Sequence, residues 1–226
     1  MRPPAIIFDL DGTLVDSVYQ HITAWHGALR NHRILLAQWR IHRAIGMSGT
    51  LFLPKLLRDE GYPCSKKLVA RLEAAHAKQF HKLSRNIEPL PGSNELLRSL
   101  RRKSIPFAVA TSGNAQQTML LLHRVADKVD FPIVTADDVQ AAKPAPDLFE
   151  LAAQKLERAP NDCFIVGDSV WDVLAGRRLN ASVVAVRSGG FDGHELQESG
   201  AYRVYADALE LSQSLEQLGF PATRDA

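Results

Sequence analysis

Residues 5–17 read Ala5-Ile6-Ile7-Phe8-Asp9-Leu10-Asp11-Gly12-Thr13-Leu14-Val15-Asp16-Ser17. The four apolar residues Ala5 to Phe8 predict a short strand buried on both faces, as found inside parallel sheets. Gly12 then signals a turn. Residues two apart in an extended chain project to the same side, which brings Asp9 and Asp11 to one small volume at the strand's end. Two carboxylates there repel and lose hydration, so they need a shared proton, a metal ion or a catalytic duty. Read alone, however, Asp-x-Asp-Gly is more simply a solvated turn.

Downstream of this stretch the pattern becomes helical and basic. Between Asp16 and Ile87 there are twelve Lys/Arg against four Asp/Glu, and six of the eight histidines. Val18, Ile22, Trp25 and Leu29 recur at spacings of three and four, an amphipathic stripe. Residues 35–45, 51–57 and 68–83 follow the same rhythm. Most of these cations solvate outer helix faces, but the shift in composition marks a separate module with a bias towards anions. After Pro89-Leu90-Pro91-Gly92, strands and helices alternate. Apolar runs at Phe107–Ala110, Ile133–Val134, Cys163–Val166 and Val183–Val186, with a weaker one near Val204, are separated by helical stripes. The last helix is expected over 206–218. Such alternation predicts βαβ units and a mostly parallel sheet with helices on both faces.

The chain of 226 residues has room for one α/β domain with an insertion. A net charge of +2 is too small to argue for nucleic acid or a membrane surface. No stretch approaches 18 apolar residues. Cys64 and Cys163 cannot build a disulfide framework, so a reducing, cytoplasmic setting is expected. Neither G-x-G-x-x-G nor a Walker lysine loop is present. A monomer or homodimer is expected, acting on a small molecule.

In open α/β sheets ligands bind at the carboxyl ends of strands, and polar residues gather at several of those ends. The first strand ends in Asp9 and Asp11. Phe107–Ala110 ends in Thr111-Ser112-Gly113-Asn114, and Cys163–Val166 in Gly167-Asp168-Ser169 with Asp172 four residues after Asp168. A loop after Ile133-Val134 carries Lys143, followed by Pro144-Ala145-Pro146-Asp147. Taken singly, Thr111 and Ser112 could cap a helix, Lys143 could be a surface lysine, and Asp168 could be an ordinary helix-leading carboxylate. Together they are the parts of a phosphate site. Carboxylates hold a hard cation such as Mg²⁺, a hydroxyl and helix-start N–H groups hold phosphate oxygens, and a lysine adds a point charge.

These four motifs, in this order, resemble the haloacid dehalogenase superfamily of phosphatases. The likeness is greatest to members with a helical cap inserted after the first strand, such as phosphoglycolate phosphatases, sugar phosphatases and β-phosphoglucomutase. The resemblance implies a Rossmann-like, doubly wound core over residues 1–15 and 88–226, with a helical cap over 16–87. It implies Asp9 as nucleophile and Asp11 as the proton carrier. Mg²⁺ would be held by Asp9, the Asp11 carbonyl and Asp168, with Asp172 acting through water or orienting Lys143. Gly12, Thr111, Ser112, Gly113 and Lys143 would hold the phosphoryl group. In the cap, His21, Arg43, Gly46 and Ser48 are candidate substrate contacts, with Lys55 a weaker one.

Two departures narrow the resemblance. Asp11 argues against the dehalogenating branch, which needs no leaving-group acid. The loop Ile45-Gly46-Met47-Ser48-Gly49 has glycine where the mutase branch carries a phosphate-gripping arginine, which favours simple hydrolysis over phosphoryl transfer between sugar hydroxyls. A phosphonoacetaldehyde hydrolase would need an imine-forming lysine, and the residues around Lys55 match that poorly. A phospho-receiver signalling module shares the acidic pair, hydroxyl and lysine. It is about half this length, places its acceptor on a middle strand and has no helical insertion.

Overall fold

The computed structural model describes residues 4–221. In chain order the elements are β1 (Ala5–Phe8), α1 (Val18–Asn31), α2 (Gln38–His42), α3 (Gly49–Asp59), α4 (Lys66–Leu83), α5 (Ser93–Arg102), β2 (Phe107–Ala110), α6 (Ala115–Val125) and β3 (Ile133–Val134). They continue with α7 (Asp147–Lys155), β4 (Cys163–Gly167), α8 (Val170–Arg178), β5 (Ser182–Val186), α9 (Gly193–Glu198), β6 (Arg203–Tyr205) and α10 (Ala208–Gln213). Contacts divide the described residues into two compact units. One runs up to Asp16 and resumes at Glu88; the other is Ser17–Ile87.

The first unit is an α/β sandwich around one parallel sheet of strand order β3-β2-β1-β4-β5-β6. β1 lies at the centre because its four residues are apolar and buried on both faces. Ile7 stands in register with Ala108 on one side and Ile165 on the other. All three belong to a buried cluster with Leu148, Phe149 and Ala152 of α7 and Val173 of α8. The alternate residues Ile6, Phe8, Phe107 and Val109 point to the opposite face and are buried too, with the rings of Phe8 and Phe107 edge to face at 6.4 Å. The doubly wound parallel sheet expected from the alternating pattern is therefore observed. From β1 the chain builds outward through β2 and β3, then crosses to β4 on β1's other side. The carboxyl ends of β1 and β4 flank this switch point, where open sheets of this kind bind ligands.

The chain leaves and re-enters this unit at neighbouring points. Val15 and Pro89 form an antiparallel bridge. Asp16 N donates to Glu88 O and Leu90 N to Leu14 O, both at 3.0 Å.

The second unit is helical throughout its described residues. α1 and α4 pack against one another, joined by a stack of rings. Phe80 lies 3.8 Å from the His21 ring and Trp25 4.0 Å from that of His76. His21 Nδ1 is 3.1 Å from His76 Nε2. Ser65 caps α4 by accepting from Leu68 N. The helical rhythm over 35–45 yields only α2, Gln38–His42. Upstream of it Arg33 takes a positive φ of 60° and Ala37 is extended, while the Leu35 N–H donates to the Tyr62 hydroxyl instead of to a helical carbonyl. The closing helix also ends early, at Gln213, and continues after Ser214 as a 3-10 turn over Leu215–Leu218. No described helix is long and apolar enough to cross a membrane.

Candidate active site at the carboxyl ends of the central strands

Asp9 follows β1 directly, and its N–H donates to Val166 O at 2.8 Å, so it is held as if the strand continued. It is 3% exposed. Asp168 follows β4, the strand paired beside β1, and is likewise buried. Asp172 lies on the first turn of α8 and has no exposed surface. Parallel neighbours bring these three carboxylates together, with ligand atoms all within 4.8 Å of one another.

Lys143 reaches the same place from the loop after β3. At 1% exposure it is not a surface lysine. Its Nζ donates to Asp172 Oδ1 at 2.8 Å and lies 2.6 Å from Asp9 Oδ1. Asp172 Oδ2 accepts from the Ser169 N–H and hydroxyl, a reciprocal cap at the start of α8. Gly167 makes room for this arrangement. A Cβ there would stand 2.8 Å from Asp172 Oδ1 and closer still to its Cγ and Cβ, inside any distance that real side chains keep.

Asp11 is half-buried and belongs to a different contact set. Its Oδ2 is 3.5 Å from the Thr111 hydroxyl, which accepts from Gly113 N at 3.0 Å. Thr111 is buried and does not cap α6; Asn114 does, accepting from Gln117 N at 2.9 Å. Ser112 lies between them, half-buried. Gly12 takes the turn after β1, its N–H donating to Val15 O at 2.9 Å. The structure thus gathers Asp9, Asp168, Asp172 and Lys143 in one cluster, with Asp11, Thr111 and Gly113 in another. His21, Arg43, Gly46, Ser48 and Lys55 belong to the helical unit. There, Ser48 is buried at the start of α3, and Lys55 pairs with Asp59 one turn along.

The electrostatics are those of a site short of positive charge. Burial, reinforced by the charges of Asp172 and Asp11 and opposed by Lys143, pushes Asp9 up to about 7. Burial, together with Asp172 and Asp9, raises Asp168 well above the usual carboxylate range, against the pull of Lys143 and a hydrogen bond from Thr13. Lys143 is drawn down by burial, yet its pairs with Asp172 and Asp9 outweigh this and hold it above an ordinary lysine. Asp9 Oδ1 is met by the Lys143 ammonium at 2.6 Å, the same ammonium that bonds to Asp172 Oδ1. Three buried carboxylates around one ammonium, with ligand atoms within 4.8 Å of one another, fit a hard divalent cation such as Mg²⁺.

Thr13 and Gly189 also touch Asp168, Ser188 bonds to the Gly12 carbonyl beside Thr13, and none of the three is assigned a role by sequence. The Thr13 hydroxyl donates to Asp168 Oδ1 at 3.1 Å. Ser188 and Gly189 follow the apolar run of β5, a position at a strand's carboxyl end that is their one signal in the sequence.

Comparison with known proteins agrees with this geometry. A family model described as haloacid dehalogenase-like hydrolase matches residues 3–180. The chain is 33% identical over 190 residues to hexitol phosphatase A of Escherichia coli, covering 83% of this chain and 85% of that one. It is 29% identical over 191 residues to β-phosphoglucomutase of Bacillus subtilis, covering 82% and 84% respectively. The crystal structure of a hydrolase from Pseudomonas syringae superposes with a TM-score of 0.92 at 44% identity, covering 95% of this chain and 99% of that one. With its central-strand carboxylates and buried lysine in the order the motifs required, the chain belongs to the haloacid dehalogenase-like hydrolases.

Proposed function

We propose that the protein is a Mg²⁺-dependent phosphatase that hydrolyses a small phosphate monoester through an aspartyl-phosphate on Asp9. The observation that carries this reading is the buried group of Asp9, Asp168, Asp172 and Lys143 beside the switch point of the sheet. Asp9 is the nucleophile: an oxygen of its carboxylate attacks phosphorus in line, forming the O–P bond as the bond to the leaving alkoxide breaks. Asp11 gives its proton to that alkoxide. It then takes one from the water that attacks phosphorus and releases Asp9 and inorganic phosphate. Thr111, its neighbouring N–H groups and Lys143 stabilise the charge on the group in transfer. Asp172 keeps Lys143 charged and oriented. Asp9, Asp168 and the Asp11 carbonyl would hold Mg²⁺, which would supply positive charge against the phosphoryl group.

The relatives support a sugar phosphate or phosphoglycolate as substrate class, and the basic helical module suits a small, strongly anionic ester. Phosphoryl transfer between positions of a sugar phosphate is the second reading, favoured by the relation to β-phosphoglucomutase and disfavoured by glycine in place of arginine in the loop Ile45-Gly46-Met47-Ser48-Gly49. The two free cysteines, Cys64 and Cys163, support a cytoplasmic setting, and His21, Arg43, Gly46 and Ser48 are proposed as substrate contacts.

The test is release of phosphate from an aryl phosphate with Mg²⁺, followed by a panel of phosphoglycolate and hexose, hexitol and pentose phosphates. Asp9→Asn should lower kcat by at least about 10³-fold, the scale on which nucleophile loss acts. Undiminished turnover by that variant, or full activity in excess chelator, overturns the mechanism. An isomerised sugar phosphate in place of free phosphate favours the second reading.

A further inference from the structure

The turn that follows β5 reaches back onto Asp168, and nothing in the motif pattern assigns it a task. β5 pairs with β4 with Gly167 opposite Ala185, so the residues just past both strands are neighbours. After Val186 the chain makes a 3-10 turn over Arg187–Gly189, closed by Gly190 N donating to Arg187 O at 2.9 Å. This turn brings the Gly189 backbone against the Asp168 side chain. A Cβ at Gly189 would stand 2.5 Å from Asp168 Cγ and 2.8 Å from its Cβ, and closer still to Oδ2. The carboxylate itself occupies the space in which any side chain at 189 would sit. On its other oxygen, Oδ1, Asp168 accepts from the Thr13 hydroxyl at 3.1 Å. The two sides are tied together, because the Ser188 hydroxyl donates to the carbonyl of Gly12, next to Thr13, at 2.6 Å.

We infer that Ser188, Gly189 and Thr13 form a clamp that fixes the orientation of the Asp168 carboxylate for metal binding. This rests on the reading of Asp168 as a ligand. The turn after β5 and the turn after β1 close on Asp168 from opposite sides, and the Ser188–Gly12 hydrogen bond sets the spacing between them. Thr13 holds one oxygen by a directed bond, and Gly189 limits rotation of the other by contact. All three act as positioning residues, since none touches the reacting atoms. A buried carboxylate flanked by Asp9 and Asp172 would otherwise turn away from them, because like charges repel. Holding it in place is therefore part of the affinity for a cation, as partners that orient first-sphere ligands generally are.

The experiment is calorimetric titration of Mg²⁺ into substrate-free protein, run in parallel for wild type, Asp168→Asn, Gly189→Ala, Ser188→Ala, Thr13→Val and Thr13→Ser. Thermal melts in chelator report the fold of each. Gly189→Ala should bind Mg²⁺ about 10-fold to 100-fold more weakly, and Ser188→Ala and Thr13→Val about 10-fold, the range found for partners of metal ligands. Thr13→Ser keeps the hydroxyl and should bind like wild type, which a purely structural role for the methyl group would not produce. Wild-type affinity in Gly189→Ala and Ser188→Ala, with binding lost in Asp168→Asn, overturns the clamp and leaves the ligand assignment standing. Wild-type affinity in Asp168→Asn overturns the ligand assignment and the clamp with it. If Gly189→Ala does not fold, Ser188→Ala and the Thr13 pair decide.

Discussion

Replacing Lys143 by methionine removes one charge and almost no volume from the centre of the site. Lys143 is 1% exposed and sits between Asp9 Oδ1 at 2.6 Å and Asp172 Oδ1 at 2.8 Å. Its loss leaves Asp9, Asp168 and Asp172 as a buried anionic group with no cation. Breaking a buried pair from one side costs about 3–5 kcal/mol. In a chain of this size that corresponds to roughly 6–20 °C in Tm, at about 2–4 °C per kcal/mol. The pH dependence follows from the sign of the shifts. Lys143 is raised in the folded protein, so its own stabilising effect is fully present below the ordinary lysine value and is lost only as pH rises through the folded value. Across neutral pH it therefore stays constant. Asp9 and Asp168 are raised too, which means the folded state favours their protonated forms. As pH falls through those raised values the carboxylates become neutral and no longer need the lysine. The gap in Tm between wild type and Lys143→Met should be largest above about pH 7 and shrink on acidification. The assay is circular dichroism melting in chelator at several pH values, with and without Mg²⁺. Added Mg²⁺ should recover part of the lost stability in the variant, since it supplies charge to the same carboxylates. A variant melting within about 2 °C of wild type in alkaline chelator, where a 3–5 kcal/mol loss is expected, refutes the reasoning.

Three further outcomes are expected. Gly167→Ala forces Asp172 off its bonds with Lys143 and Ser169, at about 1–3 kcal/mol for overpacking alone; a melt equal to that of wild type contradicts the close approach. The rise in Tm produced by Mg²⁺ in wild type should grow between acid and about pH 8, because raised carboxylates must lose protons to bind a cation; a rise independent of pH argues against these ligands. Phe80→Ala removes a buried ring stacked on His21 and should cost the helical unit about 3–5 kcal/mol. That loss can be followed by the fluorescence of Trp25 in the same stack, and an unchanged transition contradicts it.

The strong sequence signals are those with a single physical cause. Ala5 to Phe8 can only be satisfied by burial on both faces, and the observed strand lies at the centre of the sheet with both neighbours in register. The polar ends of β1, β2 and β4 are legible because each follows an apolar run directly. Lys143 is harder to read. Its burial comes from a loop that crosses the sheet end, and nothing local distinguishes it from a solvated lysine. Asp172 is visible in sequence as a neighbour of Asp168, but its close grouping with Asp9 depends on the pairing of β1 with β4. Ser188-Gly189-Gly190 looks like an ordinary turn, because what makes Gly189 necessary is the Asp168 side chain arriving from another strand. In the helical unit, Leu35 and Leu36 keep a helical rhythm yet lie outside α2. Leu36 is buried as the rhythm asks but Leu35 is exposed, and its backbone N–H is satisfied by the hydroxyl of Tyr62.

The bridge between Val15 and Pro89 has a consequence for how such a molecule can be varied. Because Asp16 and Glu88 already lie side by side and hydrogen-bonded, the sheet sees everything from Ser17 to Ile87 as the tip of a hairpin. Loop-closure entropy grows only slowly with length, so exchanging that tip for a longer, shorter or unrelated segment asks little of the strands beneath it. Descent with modification can then rewrite the insertion wholesale while the carboxylates at the strand ends keep their places. A chimera that joins Asp16 to Glu88 by a short turn would show whether the sheet folds as readily without its guest.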